Sequence, residues 1–327
     1  MFPIQFKRQF SMFILWLSFL FLGLFLLVAC GQRSEQEPHV VTPTPTTMPT
    51  DTAVSKTNAL PFVPGELTMH KLVVNGLERE YGIYVPTAVA KTDPMPLIIN
   101  LHGSGATILQ HEFLTDMSAK AEEKGFILLY PVARIDLWGN WYLKADPERD
   151  EDVAFIRQLV QTVQTTLPID SRRIYATGAS MGGGMANRLG CDAADLFAAV
   201  APVAAVYTDY AHCSPSEPIA FLAIHGTEDD GAYFYGRDDL QLPSVGGLAQ
   251  AWAITNGCRS QPVETEWEPL VTEVKWSECE RDVTVMLYAL EGYGHGWPNP
   301  NVLPSQVDDF TFDATDVIVE FLMGHPK

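Results

Sequence analysis

The sequence predicts an α/β fold, a mostly parallel sheet with helices on both faces. Three observations lead there. A hairpin signal opens the region after residue 64, and strand-like runs then alternate with helix-period segments to the end of the chain. The run Pro96-Leu97-Ile98-Ile99-Asn100-Leu101 is almost continuously apolar, as strands buried on both faces of a parallel sheet are. Finally, a glycine-rich turn, Gly178-Ala179-Ser180-Met181-Gly182-Gly183-Gly184, sits between a strand-like and a helix-like run.

Each element has its own signal. Leu67 to Val73 and Arg79 to Val85 read as two strands joined through Asn75-Gly76, a pair that supplies the positive φ angles of a tight hairpin turn. Pro96 to Leu101 is the third strand. A helix is expected from Leu109 to Lys124, followed by a strand over Phe126 to Tyr130. Between Asp150 and Leu167, the residues Val153, Phe155, Ile156, Leu159, Val160 and Val163 fall at helical spacing. Arg173 to Thr177 is the strand before the glycine-rich turn, and Met185 to Leu189 the helix after it. Strands at Phe197 to Val203 and Ile219 to Ile224 follow, then a helix from Val245 to Asn256. A strand at Val283 to Leu290 and an amphipathic helix from Asp308 to Met323 close the chain. No internal repeat is evident, and residues 65–327 read as one domain.

The residues before that domain read as an address and a tether. Lys7-Arg8 precede an apolar run from Ser11 to Ala29, which ends in Leu27-Val28-Ala29-Cys30-Gly31. An apolar run of this length also suits an uncleaved transmembrane helix. The small residue before cysteine resembles the lipobox of bacterial lipoproteins. That resemblance implies a signal peptide over 1–29, cleavage before Cys30 and lipidation of its thiol, with the membrane engaged through the lipid anchor only. In either case the rest of the chain is expected outside the cytoplasm, at a bacterial surface or facing the periplasm. From Cys30 to Pro64 the sequence is polar and rich in Thr and Pro, which suits an extended tether reaching up to about 100 Å.

Composition narrows the partners. Forty acidic residues against 21 basic ones give a formal net charge of −19, which disfavours nucleic acid and anionic membrane surfaces. With Cys30 set aside, Cys191, Cys213, Cys258 and Cys279 remain, and four cysteines allow three pairings. The spacing favours two local bridges, Cys191–Cys213 and Cys258–Cys279, each stabilising by roughly 3 kcal/mol in the chain-entropy model. No Cys-x-x-Cys pair is present, so no metal site is expected.

Sheets of this class place their chemistry at the carboxyl ends of the strands. Those ends read His102-Gly103-Ser104-Gly105, then Gly178-Ala179-Ser180, then His225-Gly226-Thr227-Glu228-Asp229, then Glu291-Gly292-Tyr293-Gly294-His295. A Gly-x-Ser-x-Gly turn between strand and helix is the nucleophile elbow of the α/β-hydrolases, and the order Ser…Asp…His is theirs as well. Ser180 is therefore expected as nucleophile, His295 as its base and Asp229 as the carboxylate that orients the imidazole. The N–H groups of Met181 and Ser104 are expected to receive the oxyanion of a tetrahedral intermediate.

The other polar residues have blander roles. His102 and His225, beside strand ends, are expected to be structural and satisfied by neighbouring backbone. Asp152 reads as a charge favoured at a helix N-terminus rather than a catalytic acid. Gly103 to Ile108 lacks the final small residue of a dinucleotide loop, so no cofactor is expected. Trp138, Trp141 and Trp297 suit either an aromatic wall for a ring or sugar, or core packing.

Together the motifs resemble the polyhydroxybutyrate depolymerase-like esterases, which include feruloyl and acetylxylan esterases of carbohydrate esterase family 1. The resemblance runs from about Leu67 to Pro300. It rests on Leu101-His102-Gly103, Asp152-Val153-Ala154-Phe155-Ile156, Gly178 through Met185, Phe197-Ala198-Ala199-Val200-Ala201-Pro202, His225-Gly226-Thr227-x-Asp229, Trp252…Asn256-Gly257-Cys258 and Gly294-His295-x-Trp297-Pro298. It implies the same nucleophile, acid and base: Ser180, Asp229 and His295. Two places depart from the family. Asp230-Gly231-Ala232-Tyr233 replaces a small apolar-Pro-Tyr segment, and Ser104 stands where glycine or cysteine is usual.

The resemblance implies an extracytoplasmic serine esterase acting through an acyl-enzyme. Its expected substrates are acyl or feruloyl esters of plant polysaccharide, with short hydroxyalkanoate esters as the alternative. The chain ends at Lys327 without a polymer-binding module, from which soluble or oligomeric esters are expected over crystalline polyester. A catalytically silent binding lipoprotein is a third reading, opposed by the presence of all three triad residues.

Overall fold

Asn75 and Gly76 take positive φ angles of 51° and 79° and turn β1 (Leu67–Val74) back onto β2 (Leu77–Tyr84) in antiparallel register. This hairpin is one edge of a ten-stranded sheet in the computed structural model, which describes residues 62–88, 93–134, 141–143, 150–208, 213–303, 305, 307 and 310–327. Residues 1–61 lie outside the described residues. The signal peptide, Cys30, His39 and most of the tether therefore do too, as do Trp138 and His212.

The middle of the sheet is six parallel strands: β3 (Met95–Leu101), β4 (Ile127–Pro131), β5 (Ile169–Ala179), β6 (Ala199–Val203), β7 (Ala220–Gly226) and β10 (Val285–Leu290). Residues of β3, β4, β6 and β7 are buried throughout, which is why these segments read as unbroken apolar runs. The full order is β1-β2-β4-β3-β5-β6-β7-β10-β9-β8. Chain order reverses beside β3, and such a switch point opens a crevice at the carboxyl ends of its neighbours.

Helices cover both faces. On one, α3 (Glu151–Gln164), α4 (Met181–Asp192) and α5 (Val245–Thr255) bury Phe155, Ile156, Met185, Leu189, Leu248 and Trp252. On the other, α1 (Ile108–Thr115), α2 (Met117–Lys124) and α6 (Ala314–Met323) contribute Ile108, Met117, Ile318 and Leu322 to a second core.

The last helix starts at Ala314 rather than Asp308, with residues 310–313 outside it. Two further features depart from the sequence reading. The single helix expected over 109–124 is two helices, broken at Asp116, whose φ is 47°. The carbonyl of Thr115, which would continue the helical ladder, instead accepts hydrogen bonds from the Thr315 hydroxyl (2.6 Å) and the Asn299 amide (3.4 Å). The Glu112 carboxylate accepts from the N–H and hydroxyl of Ser118 across the break. The second departure is an antiparallel hairpin, β8 (Val263–Glu268) and β9 (Val271–Trp276), which pairs with β10 and forms the other edge of the sheet. Glu264, Glu266 and Glu268 on β8 hide its strand character, because acidic residues are rare in strands and β8 is largely exposed.

Cys258 and Cys279 are bonded and close the base of this β8–β9 hairpin, while Cys191 of α4 is bonded to Cys213. Each bridge spans just over twenty residues, at 22 and 21 in separation.

Buried histidine makes the fold acid-sensitive. His111 donates from Nε2 to Asn100 Oδ1 at 2.7 Å, and the Asn100 amide donates to the Thr115 hydroxyl at 3.1 Å. Burial, aided by His102, pushes the His111 imidazole down to about 3. The unfolded chain binds this proton near 6.5, so the contribution is complete above pH 6.5 and is lost as the pH falls towards 3. Urea unfolding at pH 7 and pH 5 is expected to show about 2 kcal/mol less stability at pH 5 from this group. His111→Gln, which keeps a donor for Asn100, should lose that share of the pH dependence. An unchanged slope in the variant would contradict the assignment.

Candidate active site

β5 ends at Ala179, and Ser180 follows at φ 54° and ψ −118°, a conformation that L residues adopt only under constraint. The constraint is visible. The Ser180 N–H donates to Val203 O at 2.9 Å, and the Ser180 carbonyl accepts from Gly184 N–H at 2.9 Å as α4 begins. A Cβ on Gly182 would lie 2.0 Å from the Leu101 carbonyl oxygen, so only glycine lets the start of α4 press against the end of β3. Met181, half-buried, is the first residue of α4. The first N–H groups of a helix have no intrahelical acceptor and carry its positive dipole end.

The loop after β3 runs alongside. A Cβ on Gly103 would sit 3.5 Å from Ser180 Cβ. His102 shapes this loop: its Nε2 accepts the Ala133 N–H at 3.0 Å, which leaves the hydrogen on Nδ1, donated to Gly103 O at 2.8 Å. Burial lowers the basicity of the ring and keeps it in this neutral tautomer. Ser104 follows on an exposed turn. Beside it opens a groove of about 610 Å³, lined by Ser104, Ala106, Leu109, Gln110 and Phe113 among others and by no charged side chain among the described residues. Leu109 and Phe113 are exposed there.

At the end of β7 the chain is zipped to the segment after β10. Thr227 N–H donates to Leu290 O (2.9 Å), Glu228 N–H to Tyr293 O (3.0 Å), and Gly292 N–H to the Thr227 hydroxyl (2.9 Å). A Cβ on Gly226 would fall 2.0 Å from the Tyr293 carbonyl oxygen, so this approach also requires glycine. Gly226 and Thr227 thus set the spacing between Asp229 and His295. Sequence reasoning quoted them within a motif without assigning that role, which only the packing reveals.

The zip brings the predicted residues together. His295 Nε2 lies 3.0 Å from Ser180 Oγ, and His295 Nδ1 lies 2.9 Å and 3.0 Å from the two Asp229 oxygens. Asp229 Oδ1 also accepts the N–H groups of Gly231 (2.9 Å) and Ala232 (2.7 Å). The variant segment after Asp229 therefore caps the carboxylate with backbone donors. Burial opposes ionisation of Asp229, but contacts from His225 and His295 and the Ala232 N–H hold its carboxyl well below the usual carboxylate range. An ionised carboxylate only accepts, so His295 Nδ1 carries the hydrogen and Nε2 can accept one from the serine hydroxyl. The bond to Asp229 raises the His295 pKa above its ordinary 6.5 against the effect of burial, helped by the charges of Asp229 and Asp230. The His295 side chain keeps 35% of its surface in solvent, so the serine–histidine pair is open to a substrate.

Of the two readings for the tryptophans, core packing holds for Trp141 and Trp297, which are 2% and 6% exposed. Their ring N–H groups donate to His102 O (2.8 Å) and the Thr315 hydroxyl (2.9 Å), tying down the loops that carry Gly103 and His295. Asp152 does lie in the first turn of α3, but it is buried, paired with Arg79 Nη2 at 2.7 Å and capped by Tyr142 N–H at 3.0 Å. His225 is not satisfied by backbone: its Nε2 lies 3.1 Å from Asp229 Oδ2.

A family model described as esterase PHB depolymerase matches residues 79–224. The putative esterase NocK of Nocardia uniformis subsp. tsuyamanensis is 28% identical over 336 residues, covering 93% of this chain and 97% of that protein. A probable feruloyl esterase C of Aspergillus flavus is 30% identical over 232 residues, 66% of this chain and 78% of its own length. The solved acetyl xylan esterase from Aspergillus awamori shares the fold, with a TM-score of 0.57 at 16% identity over 78% of this chain and 99% of that one. With a parallel sheet, a strained serine elbow and these relatives in agreement, the chain belongs to the PHB depolymerase-type esterases, a family of carboxylic ester hydrolases with the α/β-hydrolase fold.

Proposed function

We propose that the chain cleaves acyl or feruloyl esters of plant polysaccharide through an acyl-enzyme on Ser180. The observation that carries the mechanism is the unbroken line from Ser180 Oγ through His295 to buried Asp229, with contacts of 3.0 Å and 2.9 Å. Ser180 Oγ attacks the ester carbonyl while His295 Nε2 takes its proton, and Asp229 stabilises the imidazolium that forms. The carbonyl oxygen becomes an oxyanion received by the N–H groups of Met181 and Ser104, each donor contributing about 3 kcal/mol to the transition state. As the tetrahedral adduct collapses, His295 returns the proton to the leaving alcohol. Water then attacks the acyl-enzyme with His295 again as base, releasing the acid and restoring Ser180.

The relatives' names support the polysaccharide-ester reading, including the feruloyl and acetylxylan esterases among them. The uncharged groove beside Ser104, with Leu109 and Phe113 exposed, also suits a short hydroxyalkanoate ester, which is the second reading. The two disulfides support an oxidising compartment, with Cys30 as the anchor of a surface tether. The substrate is tested by comparing kcat/KM for methyl ferulate, acetylated xylan and hydroxybutyrate oligomers. Faster cleavage of methyl ferulate or acetylated xylan is expected. Faster cleavage of the oligomers would overturn the preference and leave the mechanism standing.

A further inference from the structure

Behind the Asp229 carboxylate lies a second histidine that the mechanism above does not use. His225, the penultimate residue of β7, has a side chain that is 0% exposed, as is that of Asp229. Its Nε2 comes within 3.1 Å of Asp229 Oδ2, off the line of an ideal hydrogen bond. Neither ring nitrogen has another partner among the described residues. The described surroundings offer no alternative: the ring packs against Tyr207, at 6.4 Å between centroids, and Phe234, at 6.0 Å, and the Tyr207 hydroxyl is itself buried without a partner among the described residues. A buried imidazole of this kind persists at a desolvation cost unless it does something for the group it faces.

The two oxygens of Asp229 are held differently. Among the described residues, Oδ1 accepts two backbone N–H groups, whereas Oδ2 has no backbone donor and faces His295 Nδ1 and His225 Nε2. We infer that His225 is a positioning residue for the reaction. Its Nε2–H engages Asp229 Oδ2, fixes the carboxylate plane that presents His295 to Ser180, and takes up part of the carboxylate's charge. Contacts of this type are often poorly aligned in a resting site and tighten as charge develops. Here the imidazolium forming on His295 pulls the carboxylate into line. The inference rests on the esterase reading and adds a fourth group to it.

The consequence concerns pH. Among the described residues, the groups facing His295 include Asp229, Asp230 and Ser180, and those around His225 include Asp229 and Tyr207 beside the apolar Phe234. Removing the His225 donor leaves the whole carboxylate charge on the His295 proton and raises its basicity. The acid limb of kcat/KM, which reports the free enzyme's base, then moves to higher pH.

The test uses the full folded domain with a soluble ester. His225→Gln keeps an N–H at the position of Nε2, and is expected within a few-fold of wild type with its acid limb in place. His225→Met removes the donor at similar volume, and is expected to lower kcat roughly 10- to 100-fold at nearly unchanged KM, with the acid limb shifted up by about half a pH unit. His225→Asn is polar but too short to reach Oδ2, and carries the same comparison if the methionine variant does not fold. Equal losses in the Gln and donor-free variants, or an unmoved acid limb in the latter, would overturn the role of His225. Inactivity of the folded wild type would instead overturn the esterase reading itself, so the two failures are distinct.

Discussion

Ser180→Ala is expected to lower kcat on any soluble ester substrate by roughly 10⁴- to 10⁶-fold while the protein stays folded. Ser180 is half-buried at the tip of the elbow, and among the described residues its hydroxyl contacts His295 Nε2 at 3.0 Å on the exposed side of the site, so its loss costs the fold little. The strain at φ 54° is unaffected, because alanine must adopt it too. His295→Ala should cost about as much, and the double variant no more than either single one, since nucleophile and base act as a unit. Turnover by Ser180→Ala above a few per cent of wild type would mean that another group performs the attack. Urea unfolding of each variant separates lost chemistry from lost structure.

The largest stability effect is expected away from the serine. Asp152→Ala should lower unfolding stability by about 3–5 kcal/mol, because it leaves the Arg79 guanidinium buried without its counter-charge. Both side chains are only 5% exposed. Arg79 also donates to Val132 O at 3.0 Å and lies over the Phe155 ring at 4.1 Å, so it cannot withdraw to solvent without unpacking the start of α3. The same aspartate holds Tyr142 N–H, next to the Trp141 that bonds to His102 O. Loss of the pair is therefore expected to loosen the loop that carries Gly103 and Ser104 and to raise KM as well. Replacing both partners, Arg79→Met with Asp152→Leu, should recover much of the stability, since an apolar pair of similar volume avoids the desolvation of two charges. A loss below 1 kcal/mol in Asp152→Ala would show that the pair is not buried as described.

The legibility of this molecule follows from what its residues do locally. Parallel strands such as β3 and β7 bury both faces and so announce themselves as apolar runs, and the Asn75-Gly76 turn announces its hairpin. Ser180, Asp229 and His295, which the structure brings within hydrogen-bond distance of one another, could be singled out in the sequence because each follows the end of a strand. The break at Asp116 cannot be read, because its cause is a distant partner: Thr315, at the start of α6, claims the Thr115 carbonyl. The β8–β9 hairpin is masked by its own acidic face, although the two cysteines that close its base bracket it in sequence. Trp141 and Trp297 suit either a substrate wall or the core in the sequence, and the choice falls to the core only in the fold, since exposure of a tryptophan depends on neighbours that composition does not reveal. The backbone partners expected for His225 are absent among the described residues for a related reason: its Nε2 comes within 3.1 Å of Asp229 Oδ2 instead, a proximity that the sequence does not reveal.

Covalent labelling of the folded domain with a fluorophosphonate, followed by mass-spectrometric mapping of the modified peptide, distinguishes Ser180 from every other nucleophile. One phosphonylated residue is expected, Ser180, with labelling faster above the raised His295 pKa and absent in Ser180→Ala. A folded wild type that takes no label, or one labelled at a different serine, would contradict Ser180 as the nucleophile.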